Sequence, residues 1–256
     1  MMIFYLSIDI GNTRTKLGLF DESGELQGEV SAFPTKEGQK PWRAFLDKIP
    51  KDTALHVGWI STGDAPAYIQ ASPVWRRFET KPHFYPINSQ SELPIGNDYS
   101  TPKTLGTDRI ISVIAACNQS PGLPVLVVDA GTAITYDFAD ASARYKGGAI
   151  SPGIRMRLQA LHTFTAKLPL ESPEIDTPWL GDSTRTSILS GVIHGARAEI
   201  EGKINGYKQR YGDETQIYIT GGDAIFFENH LKNINFADSN LILKGIYQVL
   251  RFKSAL

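Results

Sequence analysis

Met2–Ile8 is almost wholly apolar, stops at Asp9-Ile10-Gly11-Asn12-Thr13, and resumes as the apolar run Leu17–Phe20. A short apolar run bounded by glycine and small polar residues reads as a buried strand, a turn and a second strand. The same reading predicts strands at 2–9, 14–20, 25–33, 55–61, 125–129, 133–138, 145–150 and 216–220. Helices are predicted at 41–48, 66–77, 107–118, 153–165, 184–210 and 224–232. Strands interleaved with helices point to an α/β fold. In the longest helix Ile188, Val192, Ala196, Ile200, Ile204 and Tyr207 recur three and four residues apart, which makes one apolar stripe. That stripe packs either within its own domain or against a second copy, and Gly191 and Gly195 would admit a second backbone closely.

The pattern repeats. In "PVLVVDAGTAITYDF" (124–138), Asp129, Gly131 and Thr135 stand 120 residues after Asp9, Gly11 and Thr15. "WISTGDA" (59–65) and "YITGGDA" (218–224) form a second pair, offset by 159. Two matches in the same order indicate internal duplication. The difference in offset places about 39 extra residues near 153–184 of the second half. Pro121, Gly122 and Pro124 interrupt the pattern, so two domains are expected, 1–118 and 119–256.

Composition narrows the partners. The chain has 256 residues, 26 Lys and Arg against 27 Asp and Glu, and no basic block of the kind that binds nucleic acid. The opening apolar run is too short to span a membrane and lacks the basic start and cleavage site of a signal peptide. The lone Cys117 permits no internal disulfide. A cytoplasmic protein without nucleic-acid or membrane partners is expected. The five histidines are scattered and suggest no metal cluster.

A carboxylate and a glycine at the tip of a buried strand call for a ligand. Glycine brings the backbone close to a ligand, and successive N–H groups in such a turn make an anion-binding concavity. Asn12, Thr13 and Thr15 add short donors; Lys16 is either a phosphate contact or a solvated lysine. Asp9 would repel a bare phosphate but suits one that carries Mg²⁺. The alternative is a hairpin whose turn Asp9 simply caps. No Gly-Lys-Ser/Thr ends a Walker loop, and no Gly-x-Gly-x-x-Gly opens the chain.

Duplicated Asp-x-Gly hairpins resemble the actin, Hsp70 and sugar-kinase superfamily. That resemblance implies two RNase H-like (actin-like ATPase) domains with a nucleotide cleft between them. "DIGNTRTKLG", "NDYSTPKTLGTDR", "DAGTAITYDF", "GGAISPGI" and "FTAKLP" occur in that order and together resemble the type III pantothenate kinases. The resemblance runs from about residue 8 to 195. It implies transfer of the ATP γ-phosphate to the 4′-hydroxyl of pantothenate, which is the first step of coenzyme A biosynthesis. It implies Mg²⁺ with ATP, a monovalent cation (K⁺ or NH₄⁺) and a homodimer. By its motifs Asp9, Ile10, Gly11, Asn12, Thr13, Arg14, Thr15 and Lys16 form the first phosphate hairpin, with Asp9 a candidate Mg²⁺ ligand. The resemblance further implies Thr132 as an ATP contact and Asp129 as a K⁺ ligand. It implies Tyr99, Gly106, Thr107, Asp108, Arg109 and Thr184 as pantothenate contacts, with Asp108 the catalytic base. Ser183 departs from the asparagine that the family often carries before that threonine.

The residues agree with "GTDR" as the chemical centre. The segment reads as a loop entering a helix that Thr107 or Asp108 could cap. Arg109 suits either the pantothenate carboxylate or the γ-phosphate, and sequence leaves the two open. Two rivals remain: a sugar- or acetate-type kinase on the same scaffold, and a non-metabolic ATP-dependent conformational switch.

Overall fold

The computed structural model describes residues 2–37, 39–61, 68–227, 231 and 233–255. The chain divides into two compact units, one formed by Met1–Asn118 with Asn240–Leu256, the other by Gln119–Ser239.

In the first unit, β1 (Met2–Ile10) and β2 (Arg14–Asp21) form an antiparallel hairpin, and β3 (Ser31–Pro34) continues it. β4 (Thr53–Ser61) lies parallel to β1, and β5 (His83–Pro86) parallel to β4. The sheet order is therefore β3-β2-β1-β4-β5. Leu6, Ile8, Leu17, Leu55 and Val57 are fully buried with Trp42 and Leu46 of α1 (Gln39–Leu46). Such side chains each contribute roughly 2 kcal/mol of burial. A short α2 (Tyr68–Ala71), a two-residue β6 (Gly96–Asn97) and α3 (Thr107–Gln119) complete the N-terminal part. α6 (Leu241–Ser254) then returns to this unit and packs on β1, β4 and β2. It comes so close to α3 that a Cβ at Gly245 would lie 2.0 Å from the Ile111 carbonyl oxygen.

The second unit repeats the plan. β7 (Val125–Ala130) and β8 (Ala133–Ala139) form the hairpin, and β9 (Arg144–Pro152) continues it. β10 (Gln216–Thr220) runs parallel to β7, and β11 (Phe236–Ala237) parallel to β10. Both hairpins even end alike. Asp21 Oδ1 accepts from the Ser23 and Glu25 amides, and Asp140 Oδ1 from the Ser142 and Arg144 amides. Gly24 and Ala143 take the positive φ that each turn needs. α4 (Ile154–Thr163) and α5 (Thr184–Tyr211) accompany this sheet. This is the duplicated α/β architecture expected from the sequence.

Several elements differ from the pattern reading. Of the expected strand 25–33 only residues 31–33 pair continuously with β2, in a strand that runs on to Pro34; Gly28 has a φ of 77°, which takes the chain off the sheet. In the expected helix 66–77, Pro73 has no N–H to continue the α-helix. Ser72 caps a separate 3₁₀ turn, Pro73–Arg77, and residues 66 and 67 lie outside the described residues. The expected helix 224–232 is a 3₁₀ turn at Ala224–Phe226, while 228–230 and 232 lie outside the described residues. β5 and α6 were not anticipated, and α6 belongs with the first unit rather than with the span 119–256. The α5 stripe is used inside its own unit: Ile188, Val192, Ala196, Ile200 and Ile204 are buried against Leu126, Ile134, Tyr136 and Ile217. No helix among the described residues is long and apolar enough to cross a membrane.

Candidate active site

The β1–β2 pairing sets Asp9 opposite Lys16 and Ile10 opposite Thr15. Gly11–Thr13 make the turn, which Gly11 N closes by donating to the Arg14 carbonyl at 3.0 Å. Thr35, just after β3, braces it: its hydroxyl donates to the Gly11 carbonyl at 2.8 Å and its amide to the Thr13 carbonyl at 3.0 Å. Thr15 is buried, with its hydroxyl 3.2 Å from that of Thr35. Thr15 thus supports the turn from beneath, while Asn12, Thr13 and Arg14 are exposed at its tip. Backbone bonds and Thr35 thus close this turn.

Asp9 is costly where it stands. Burial pushes its carboxyl up to about 6; Lys16 opposes the shift and Asp108 adds to it. The folded protein therefore binds a proton that the unfolded chain releases nearer 3.8. Stability from this group is full below that lower value and is lost as pH rises through about 6. Asp9→Asn should accordingly be more stable than wild type near pH 8, by about 3 kcal/mol. The gap should close near pH 4, and urea unfolding at both pH values measures it. Equal stability near pH 8 would show that the carboxylate carries no such penalty.

Asp108 reaches the same place from α3. A Cβ at Gly106 would sit 2.6 Å from Asp108 Oδ1, so glycine lets this carboxylate fold back over the helix start. Its Oδ1 accepts from the Arg109 amide at 2.9 Å. The Arg109 side chain is buried, with its guanidinium carbon 6.0 Å from the centre of the Tyr99 ring, a cation–π arrangement. The Tyr99 amide in turn donates to Asn97 Oδ1 at 2.9 Å. Asp9, Lys16, Tyr99, Gly106, Asp108 and Arg109 therefore all belong to the first unit, and Asp9 and Asp108 are close enough to repel.

The second unit builds its own strand-end turn. Asp129 pairs with Thr135 and Thr220, and Gly131 N donates to the Ala133 carbonyl at 3.0 Å, as Gly11 N does to Arg14. Thr132 is exposed at the tip, and its carbonyl accepts from Gly153 N at 3.1 Å. A Cβ on Gly153 would lie 2.3 Å from the Gly131 carbonyl oxygen and 2.4 Å from that of Thr132. Gly221, at φ 97°, comes as near: a Cβ there would be 2.3 Å from the Ala130 carbonyl and 2.4 Å from Asp129 Oδ1. Asp223 is buried, donates its amide to the Ala130 carbonyl at 2.8 Å, and forms an ion pair with Arg155. The repeat "TGGDA" flagged this region and Gly153 lies in the motif "GGAISPGI", but nothing in the sequence linked Arg155 to it.

Thr184 belongs to the second unit, in the first turn of α5. Ser183 is the N-cap residue: its hydroxyl accepts from the Thr186 amide at 3.3 Å, and Thr186 returns the bond. Serine thus does there what asparagine would do as a cap. Thr184 lines an apolar groove of about 970 Å³ with Arg157, Phe164, Leu168, Ile188 and Gly191.

Known proteins resemble this chain in sequence and in fold. The sequence profile of the type III pantothenate kinases matches residues 5–206. The chain belongs to the type III pantothenate kinase family. A type III pantothenate kinase of Phocaeicola vulgatus is 40% identical over 252 residues, covering 98% of this chain and 99% of that one. One of Flavobacterium johnsoniae is 39% identical over 248 residues, covering 97% and 98%. Among solved structures, a ROK hexokinase of Thermus thermophilus has a TM-score of 0.51 at 14% identity, over 98% of this chain and 99% of that one. A putative Baf family transcriptional activator of Campylobacter jejuni has a TM-score of 0.58 at 21% identity, over 98% and 100%. Both structural likenesses concern the fold, and they place this family member among the actin-like ATPase and sugar-kinase folds.

Proposed function

We propose that this chain transfers the γ-phosphoryl group of ATP to the 4′-hydroxyl of pantothenate, in the first step of coenzyme A biosynthesis. One observation carries the site assignment: Asp108 stands beside Asp9 at a glycine turn and next to a buried Arg109 under Tyr99. This puts a base, a cation and an anion-binding turn on one unit.

Phosphoryl transfer passes through a loose transition state, so the protein's work is positioning and charge compensation. Asp108 accepts a hydrogen bond from the pantothenate hydroxyl, aims it in line with the γ-phosphorus, and takes its proton late in the transfer. An ordinary carboxylate suffices, because the hydroxyl becomes acidic only as its bond to phosphorus forms. Arg109 is held by Tyr99 in a place suited to anchor the pantothenate carboxylate or to steady the γ-phosphate. The turns at Gly11–Thr13 and Gly131–Thr132 offer backbone donors to phosphate oxygens. Thr184 contacts pantothenate from α5.

The donors fit the expected cations. Asp9 is a carboxylate whose charge burial and Asp108 both disfavour, which a divalent ion would relieve. Mg²⁺ takes one or two carboxylates with waters and phosphate oxygens, and Asp9 would be the protein carboxylate. When bound, the ion neutralises phosphate charge. Asp129 Oδ1 and the Ala130 carbonyl crowd together at Gly221 as oxygen donors suited to K⁺ or NH₄⁺. The cytoplasm supplies ATP and K⁺ together.

Incubation with pantothenate, ATP, Mg²⁺ and K⁺, with mass-spectrometric detection of 4′-phosphopantothenate, tests the activity. Slow ATP hydrolysis indifferent to any acceptor would instead indicate a nucleotide switch. Replacing K⁺ with tetramethylammonium should cut the rate; no change would remove the Asp129 assignment.

The active form is a homodimer in this reading. Phe164, which lines the groove at Thr184, is large, apolar and more than three-quarters exposed, and Trp179 and Leu180, a few residues before α5, are exposed to a similar degree. At Gly191 and Gly195 an added Cβ would meet nothing within 4 Å. A second copy covering this face would enclose Thr184. Sedimentation at micromolar concentration should give a dimer; a fully active monomer would refute it.

A further inference from the structure

We propose that Glu199, in the middle of α5, is a positioning residue that holds the Ser151–Gly153 segment against the Gly131–Thr132 turn. The inference rests on reading that turn as part of the nucleotide site.

Glu199 is the hub of a polar cluster inside the second unit. Its Oε1 accepts from the Tyr136 hydroxyl at 2.8 Å and from the Ser151 hydroxyl at 2.5 Å. Its Oε2 accepts from an Arg157 guanidinium nitrogen at 2.5 Å. Arg157 also donates through Nε to the Pro152 carbonyl at 2.8 Å and lies 3.4 Å from Ser151 Oγ. One carboxylate on α5 thus grips β8 through Tyr136, the end of β9 through Ser151, and α4 through Arg157. The gripped stretch is the one whose next residue, Gly153, donates to the Thr132 carbonyl at 3.1 Å. There is no slack at that joint, because a Cβ on Gly153 would strike both turn carbonyls.

The chemistry of the hub suits positioning. Burial alone would push the Glu199 carboxyl up, but hydrogen bonds from Ser151, Arg157 and Tyr136 outweigh it and hold the group below its ordinary value. It stays ionised, and the Tyr136 hydroxyl is held protonated, its proton directed at the carboxylate. The Lys203 ammonium lies 5.7 Å from the centre of the Tyr136 ring and adds positive charge beside the cluster. An ion pair at such a place is weak evidence for stability, since apolar packing often does as well. It does fix direction, which apolar packing does not. A loop held from three elements presents the Thr132 tip in one geometry, and geometry is what a phosphoryl-transfer site needs.

The test compares Glu199→Gln, Glu199→Ala and Tyr136→Phe in the full-length protein. Glu199→Gln keeps an acceptor for Tyr136 and Ser151 but abolishes the ion pair. Tyr136→Phe leaves Arg157 and the groove untouched. Amide hydrogen exchange in the ligand-free protein should quicken about tenfold at Gly131 and Gly153 in Glu199→Ala, with amides 125–128 of β7 unchanged. The KM for ATP should rise about tenfold, as for outer partners of ligating residues, while kcat stays within about threefold. Glu199→Gln and Tyr136→Phe should move both quantities in the same direction by less. Unchanged exchange and unchanged ATP KM in a folded Glu199→Ala would overturn the proposal. So would exchange that quickens equally through the whole unit, which is a merely structural effect. Should Glu199→Ala fail to fold, Tyr136→Phe decides alone, and its silence in both readouts overturns the idea. A wild-type protein that did not phosphorylate pantothenate, yet gave the exchange contrast, would remove the activity and leave this coupling standing.

Discussion

Asp108→Asn is expected to fold as the wild type does and to phosphorylate pantothenate about 10²–10⁴ times more slowly. The fold should survive because the contact Asp108 makes with its own helix is one that asparagine can copy. Its Oδ1 accepts from the Arg109 amide, and an amide oxygen accepts equally well. The space that Gly106 leaves beside that oxygen accommodates either side chain. What asparagine lacks is a basic lone pair for the substrate proton. The substitution also removes a negative charge that now raises the Asp9 carboxyl, so Asp9 should titrate below about 6 in the variant. That second signature separates loss of the base from an unnoticed collapse of the turn. Near wild-type turnover with an unshifted Asp9 would mean that Asp108 is only a helix-start residue.

Gly221→Ala should be the most damaging small substitution in the second unit. A non-glycine residue at φ 97° costs on the order of 1–3 kcal/mol. Here the new methyl would also lie 2.3 Å from the Ala130 carbonyl and 2.4 Å from Asp129 Oδ1, so the backbone has to move. The melting temperature should fall by roughly 5–12 °C. Binding of Mg-ATP should weaken at least about tenfold, because the displaced atoms belong to the strand end that bears the β7–β8 turn. Gly222→Ala is the control, since nothing lies within 4 Å of a Cβ there. If the two variants melt and bind alike, the closeness at Gly221 has no energetic meaning.

Much of this site was legible because its chemistry is local. A strand that stops at Asp-x-Gly, and a helix that opens at Gly-Thr-Asp-Arg, state their turns in adjacent residues. The same locality misled elsewhere. Glu25–Phe33 has strand-like residues, but Gly28 and the Asp21 turn take most of it off the sheet. Tyr68–Arg77 has helical spacing, but Pro73 splits it. The α5 stripe was read correctly as apolar, yet periodicity cannot name the surface it meets; its own sheet buries it. α6 carried a signal in Leu243, Ile246, Tyr247 and Leu250, but no side chain caps its start at Asn240. The Glu199 cluster was invisible, since its four residues span 136 to 199 and form no motif.

The placement of α6 bears on how the protein is made. Residues 2–118 emerge from the ribosome first, but the helix that covers one face of their sheet follows the whole of the second unit. The later-translated unit is uninterrupted in the chain and can finish first. During synthesis the earlier one waits with apolar surface uncovered, the state in which chains are prone to associate and chaperones bind.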